Sequence, residues 1–299
     1  MKRRRAPYIS CIIPAYNHAR YLPDAIESAL SQDFPKNDRE IIVVDDGSTD
    51  NTEEVLSRYK GEIVAVKQSN AGQGLAILRA IRLARGEIIA ELDSDDVWMP
   101  RKLSSIAKGF DVSKDIAVVT HGIRNADQGL RPIELIGSSP NLARDRLVDL
   151  DAQSVLRHSR RGEWNGLFIC AGGSAWAVRR SALGPHLPRA KPPRLWADIF
   201  YVFLAAASGG KALRLRQTLS LWRWHPGSAS YYEREDFLRR IRLEAKFSDS
   251  VRRALEAIDG SHRRLLIEDL RALLRESAAL TALLERHGRI GRRDFPVKS

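Results

Sequence analysis

Three carboxylates fall within four residues at Asp93-Ser94-Asp95-Asp96, directly after an apolar run from Glu87 to Leu92. Acids this close repel one another, so the cluster is stable only where a cation or hydrogen-bond donors offset the repulsion. Hard oxygen ligands suit Mg2+ or Mn2+, and Mg2+ is commonly held by one or two carboxylates together with substrate phosphates. A solvated acidic turn, or a cap for a helix near Pro100, would use the same residues.

A second acidic pair stands in Val43-Val44-Asp45-Asp46-Gly47-Ser48-Thr49-Asp50, again after an apolar run. Gly47 and Ser48 permit a tight turn, and Asp50 or Ser48 can cap the following helix. A carboxylate here could accept a hydrogen bond from a base N–H or a ribose hydroxyl; turn and cap duty alone would also explain all four polar residues. In Pro14-Ala15-Tyr16-Asn17 the proline is expected to end a strand's ladder. The tyrosine could stack on a planar base or simply pack.

The elements that position these motifs alternate over the first hundred residues. Tyr8–Ile13, Glu40–Val44, Glu62–Lys67 and Glu87–Leu92 read as strands, and His18–Ser31, Asp50–Tyr59 and Gly74–Arg85 as helices. Leu75, Leu78, Ile81 and Leu83 form the expected apolar side of the third helix. This alternation predicts parallel strands with crossover helices. Near-continuous apolar strands such as Ile41-Ile42-Val43-Val44 fit a sheet covered on both faces. Ligands of such sheets bind outside the carboxyl ends of the strands, which is where the three motifs fall.

Beyond Pro100 a helix is expected at Leu103–Phe110 and a strand at Ile116–Thr120, followed by loop-rich sequence from 121 to 165. Strands are expected at Leu167–Ile169, Ala175–Val178 and Leu213–Trp224, and a helix at Ala197–Ser208. From Asp236 the chain reads as helical, with a stripe of Leu266, Leu270, Leu273, Leu280 and Leu284. That division predicts a catalytic domain over 1–232, in halves 1–110 and 111–232, and a helical C-terminal extension over 233–299.

The 299 residues suffice for one large α/β domain or a domain with an appendage. No run of about 18 apolar residues predicts a transmembrane helix. The basic start Met1-Lys2-Arg3-Arg4-Arg5 is followed by too short an apolar stretch, broken by Pro14, for a signal peptide. These readings place the protein in the cytoplasm. Cys11 and Cys170 sit in apolar segments and are expected to be reduced core residues; two thiols alone make no zinc site. The formal charge of +12 fits attraction to nucleotide diphosphates, acidic headgroups or nucleic acid, or a solvated basic surface. No helix-turn-helix or zinc pattern supports nucleic acid. No G-x-G-x-x-G follows the first strand, which argues against a dinucleotide-dependent dehydrogenase.

Taken in order, Ser10-Cys11-Ile12-Ile13-Pro14-Ala15-Tyr16-Asn17, Ile42 through Asp50, Asn70-Ala71-Gly72, and Gly86-Glu87-Ile88-Ile89 leading to Leu92-Asp93-Ser94-Asp95-Asp96 closely resemble the family 2 glycosyltransferases. The resemblance is strong over 8–110 and looser over 165–230. It implies the GT-A fold, a Rossmann-like, mostly parallel α/β sheet flanked by helices. It also implies a divalent metal, Mn2+ or Mg2+, and inverting transfer from a nucleotide-sugar donor, with UDP the expected nucleotide. Carried over residue by residue, Pro14 and Tyr16 would line the nucleobase and ribose site. Asp46 would bond the base, with Asp45 a less favoured substitute. Asn70 to Gln73 would lie beside the nucleotide, Asp93 would face the ribose or the metal shell, Asp95 would bind the metal and Asp96 would stand behind it.

Downstream, Gly172-Gly173-Ser174-Ala175 resembles the small-residue strand under the acceptor side. Leu195-Trp196-Ala197-Asp198-Ile199 resembles the acidic motif that supplies the general base. The family often has Glu-Asp there; this chain has Ala197-Asp198, so the base falls on Asp198. Arg223 through Ser230 resembles the family's His-x-x-Ser stretch, which puts His225 at the diphosphate or the metal, while Trp222 or Trp224 could stack on an acceptor sugar. The implied acceptor is a glycan or lipid-linked sugar at the inner face of a membrane, in glycan or cell-surface polysaccharide biosynthesis. The C-terminal helices are expected to pack on the catalytic domain, form a homodimer contact or lie on the membrane. A non-catalytic nucleotide- or polyanion-binding protein is the alternative reading.

Overall fold

A computed structural model describes residues 8–133, 144–149 and 173–227, less 185, 195, 196 and 208. The expectations for Leu167–Ile169, Cys170, Gly172, Leu195, Trp196, Ser228 to Ser230 and the helices of 233–299 therefore lie outside the described residues. The predicted alternation is present: β1 (Ile9–Ala15), α1 (Leu22–Leu30), β2 (Arg39–Asp45), α2 (Thr52–Ser57), β3 (Val64–Lys67), α3 (Gln73–Leu83) and β4 (Ile88–Glu91). There follow β5 (Val97–Trp98), α4 (Lys102–Asp111), β6 (Ile116–Ala126), β7 (Arg146–Asp149), β8 (Trp176–Arg179), α5 (Arg180–Leu183), α6 (Ala197–Ala207) and β9 (Lys211–Arg223).

Among the described residues these strands form one sheet in the order β3-β2-β1-β4-β8-β6-β9-β5, with β7 also on β9. The first four are parallel to their neighbours. Beyond β4 the expected parallel order becomes mixed. β8 runs antiparallel to both β4 and β6, β6 and β9 are parallel, and β5 and β7 are antiparallel to β9. β8 thereby joins the two predicted halves into one sheet.

Period-two alternation explains the apolar strands, because successive side chains leave opposite faces. Ile12, Ile42 and Val44 pack under α3 and α6. Cys11, Ile13, Ile41 and Val43 pack under α1, α2 and α4. Each fully buried Ile on either face contributes roughly 1.5–3 kcal/mol. Burial pushes the Cys11 thiol up to about 12, so it is an inert, unpaired packing group, as expected.

Several local expectations change. Pro14 does not end the strand; it lies inside β1, buried, opposite Val44. On α3 the buried stripe is Ala76, Ile77, Leu78, Ala80 and Ile81, whereas Leu75 and Leu83 are exposed. Small Ala side chains let the helix approach the sheet closely, and that sets the buried face in place of leucine spacing. β6 continues to Ala126 and β7 forms at Arg146–Asp149, both within sequence read as loop. The residue capping α2 is Asn51, which makes no side-chain cap bond.

At the amino ends of the strands, Glu40 ties β2 to β1 and to the turn before β4. It accepts from Ser10 Oγ at 2.6 Å, Arg85 N at 2.7 Å and Arg85 Nε at 2.9 Å. Ser10 Oγ in turn accepts from Gly86 N at 2.9 Å. Burial alone would raise the Glu40 carboxyl, but the bonds from Ser10 and Arg85 outweigh it and hold the group below its ordinary value. A depressed carboxylate adds stability above its unfolded pKa, and that stability is lost as pH falls through the folded value. Glu40→Gln is therefore expected to cost about 1–2 kcal/mol near neutral pH. The gap to wild type, read from urea-denaturation midpoints, should narrow as pH falls below the ordinary glutamate range; a gap that stays the same from neutral to acidic pH would refute the assignment.

Candidate active site

The loops after β1, β2 and β4 meet at the carboxyl ends of their strands and are bonded to one another. Asn17, in the left-handed conformation at φ 54°, donates its N–H to Ser48 Oγ at 2.9 Å and accepts from Thr49 N at 2.8 Å. Asp50 accepts from Ala19 N at 2.9 Å and from Thr52 N at 3.1 Å, so it serves the first loop as well as the start of α2. His18 joins the first loop to the third, with Nδ1 2.8 Å from Ser94 Oγ.

Asp46 organises the loop that follows β3. Its Oδ1 accepts from Gln68 Nε2 and Ala71 N, both at 2.8 Å, and its Oδ2 accepts from Gly72 N at 2.7 Å. A carboxylate offers about four lone-pair sites, so three protein donors leave room for one more. Asp45 accepts from Ser48 N at 2.8 Å. Gly47 has φ 74°, and a Cβ there would stand 2.7 Å from Asn70 N, so a side chain would be strained and would push the loop away. Asn70 is exposed beside it and accepts from Arg194. Tyr16 is 45% exposed at the rim, its ring available to a planar ligand.

The acids after β4 divide. Asp96 faces inward, accepting from Ser174 Oγ at 2.6 Å and from Arg223 N at 2.9 Å. Burial, then the charges of Asp95 and Asp93, push its carboxyl well above the usual range. Asp95 turns toward His225, whose Nε2 lies 3.0 Å from Oδ2. Burial would raise Asp95, but that hydrogen bond and the two histidine rings outweigh it, and the net direction is down. Asp93 accepts from Gln73 Nε2 at 3.1 Å and donates its own N–H to Ser174 Oγ at 3.0 Å. A Cβ on Gly173 would meet Asp93 Oδ2 at 2.6 Å, so only glycine lets that backbone approach.

Asp198 lies in the first turn of α6; its side chain is outside the described atoms. The helix is seated on α3: Tyr201 Oη donates to Gly74 O at 2.8 Å. Arg194 crosses Gly72 so closely that no Cβ would fit there. Trp222 and Trp224 form a tilted pair 5.1 Å apart, and Trp224 donates to Asn125 Oδ1 at 3.0 Å.

Sequence reasoning missed His18, Arg223 and Lys102. Arg223, 3% exposed, donates from Nε to Asp95 O at 2.8 Å and from Nη2 to Asp24 Oδ2 at 2.7 Å. Lys102 is fully buried, donates to Ser174 O at 2.6 Å, and sits 4.1 Å from the Trp98 ring centre. The order of the motifs gave no sign of either cation; for His18 the signal was its place directly after Asn17. The donor set suits a divalent ion, because a buried, depressed carboxylate and an imidazole already face one another at Asp95 and His225. A separate open concavity of about 1000 Å3 lies at the opposite end, lined by Tyr8, Arg85, Glu87 and Arg180 among others. None of the predicted site residues lines it.

Residues 10–185 match the family described as Glycosyl transferase family 2. An uncharacterized glycosyltransferase of Nostoc sp. is 34% identical over 230 residues, covering 73% of this chain and 65% of that protein. A chondroitin synthase of Escherichia coli is 33% identical over 165 residues, covering 54% of this chain and 24% of the synthase. The chain thus spans less than two thirds of these relatives. Among solved structures, S. aureus TarS in complex with UDP-GlcNAc superposes with a TM-score of 0.61 at 22% identity, covering 88% of this chain and 71% of the other. The mannosyltransferase PcManGT of Pyrobaculum calidifontis, in complex with GDP-Man and Mn2+, gives 0.58 at 19% identity, covering 96% and 77%. These likenesses establish the GT-A fold.

The Asp46 bonds make a local forecast. Asp46→Ala should raise hydrogen exchange at the Ala71 and Gly72 amides on the order of 10–100-fold, the loss of charge-assisted bonds of about 1.5–3 kcal/mol. Unchanged exchange at both amides would show that the loop is held by something else.

Proposed function

The chain belongs to glycosyl transferase family 2, and from that membership we propose that it transfers a sugar, with inversion, from a UDP-sugar to an acceptor hydroxyl of a growing glycan. The observation that carries the reading is the convergence of the loops after β1, β4 and β9 at Asp95 and His225. The loop on Asp46 and the start of α6 border the same strand ends.

In this reading the uracil lies against Tyr16 over the floor made by Pro14, and the open lone-pair position of Asp46 accepts its N–H. The loop from Asn70 flanks the nucleoside, and Asp93 faces the ribose. Asp95 and His225 hold Mn2+ or Mg2+, which when bound neutralises charge on the leaving diphosphate. Asp198 accepts the proton of the acceptor hydroxyl as that oxygen bonds to the anomeric carbon. The bond from that carbon to the diphosphate breaks, and its electron pair leaves with the nucleotide. Trp222 and Trp224 offer apolar faces for an acceptor sugar.

The chondroitin synthase relative and the UDP-GlcNAc complex of TarS support a UDP-sugar donor and polysaccharide synthesis. No helix among the described residues is long and apolar enough to cross a membrane. The charge of +12 suits action in the cytoplasm at an anionic membrane face, where a lipid-linked acceptor would be presented. The polyanion-binding alternative has no support in the cleft, because Asp93 and Asp95 would repel phosphate in the absence of a cation.

A thermal-shift panel of UDP-, GDP- and dTDP-sugars with and without Mn2+ tests the donor. Stabilisation by UDP-sugars that requires Mn2+, and that Asp95→Ala abolishes, is expected. Asp198→Asn should keep that stabilisation yet lower turnover by about 10²–10⁴-fold. No response to any nucleotide sugar, or wild-type turnover in both variants, would overturn the reading.

A further inference from the structure

His18 is the one imidazole at the cleft that no motif explained. Its placement is heavily specified. Asn17 before it is held by Ser48 and Thr49, Ala19 after it is held by Asp50, and its own carbonyl accepts from Tyr21 N and Leu22 N, both at 2.9 Å. A turn bonded on both sides presents its side chain in one direction at little further entropic cost.

The ring points at Asp95. His18 Nε2 lies 3.9 Å from Asp95 Oδ2, the same oxygen that His225 Nε2 approaches at 3.0 Å. The two rings meet edge to face with centroids 5.6 Å apart. Ligand atoms of His18, Asp95 and His225 all lie within 4.8 Å of one another. The other nitrogen of His18 is bonded to Ser94 Oγ at 2.8 Å. Histidines that bind metals characteristically give that second nitrogen to a polar group, which fixes ring and tautomer. In the tautomer in which Ser94 accepts from Nδ1, the Nε2 lone pair of His18 faces a carboxylate oxygen. Two acceptors so placed repel, and a cation between them turns the repulsion into coordination.

We propose that His18 is a third protein ligand of the metal, so that the site offers two imidazole nitrogens and one carboxylate. The proposal rests on the metal-dependent reading of this cleft and goes beyond it in composition and selectivity. Imidazole nitrogen favours transition metals, whereas Mg2+ prefers oxygen and retains its waters. The site therefore selects Mn2+ over Mg2+, with the remaining coordination positions open to phosphate oxygens and water.

Pulsed electron paramagnetic resonance of Mn2+ bound to the full chain, with and without UDP, decides the point through coupling to isotopically labelled histidine nitrogen. The wild-type spectrum is expected to show two directly bound nitrogens, and His18→Ala and His225→Ala one each. His18→Ala should weaken Mn2+ binding on the order of tenfold or more and reduce its preference over Mg2+. Ser94→Ala, which keeps the imidazole but frees its second nitrogen, should weaken binding by about tenfold through loss of orientation. A wild-type spectrum with one nitrogen, unaffected by His18→Ala, would overturn the proposal while Mn2+-dependent donor turnover kept the transferase reading intact. Absence of both Mn2+ binding and turnover in the wild-type chain would remove the two together.

Discussion

Asp95 and Asp96 are adjacent, both buried and both acidic, and water is not there to screen them. The chain separates them by direction. Asp96 points into the sheet, where Ser174 and the Arg223 amide donate to it and burial pushes its carboxyl well above the usual range. Asp95 points out to His225, whose hydrogen bond helps hold its carboxyl low despite burial. One carboxyl is thus pushed up while its neighbour is held down. Much of the surrounding architecture exists to maintain that difference.

The groups that maintain it come from far along the chain. Arg223, at the end of β9, bonds to Asp95, Asp96, Gln128 and Asp24, and its guanidinium lies 4.8 Å from the Tyr21 ring centre. Lys102 reaches Ser174 from below. Burial pushes its ammonium well below the usual lysine range, against the pull of nearby acids. The carboxylate cluster is therefore flanked by basic side chains from β9 and α4. Removing one partner of such a set leaves an uncompensated buried charge, which is more damaging than the loss of a surface pair.

The first hundred residues were legible because their signals are local. Apolar runs a few residues long, punctuated by Asp-Asp-Gly and Asp-Ser-Asp-Asp, carry both the strand assignment and its functional end. What was not legible depends on partners distant in sequence. The extension of β6 carries buried His121 and Asn125, polar residues that look like loop until β9 covers them. β5 and β7 are short and exist only by pairing with β9. Lys102 follows Pro100-Arg101 with no signal of its own, yet it is among the largest fully buried side chains. His18 and Arg223 are single basic residues whose meaning comes from acids some 70 to 200 positions away.

The insertion of β8 between β4 and β6 has a consequence for biosynthesis. β1 to β4 emerge from the ribosome as a nearly complete parallel layer, but the outer edge of β4 gains its partner only when residues 176–179 arrive. Through that interval an apolar strand carries an open row of amides and carbonyls, a template for association with other nascent chains. The acids after it likewise wait for Ser174 and Arg223. A chain that stops before β9 has the loops after β1, β2 and β4 but lacks the Arg223 bonds to Asp95 and Asp96.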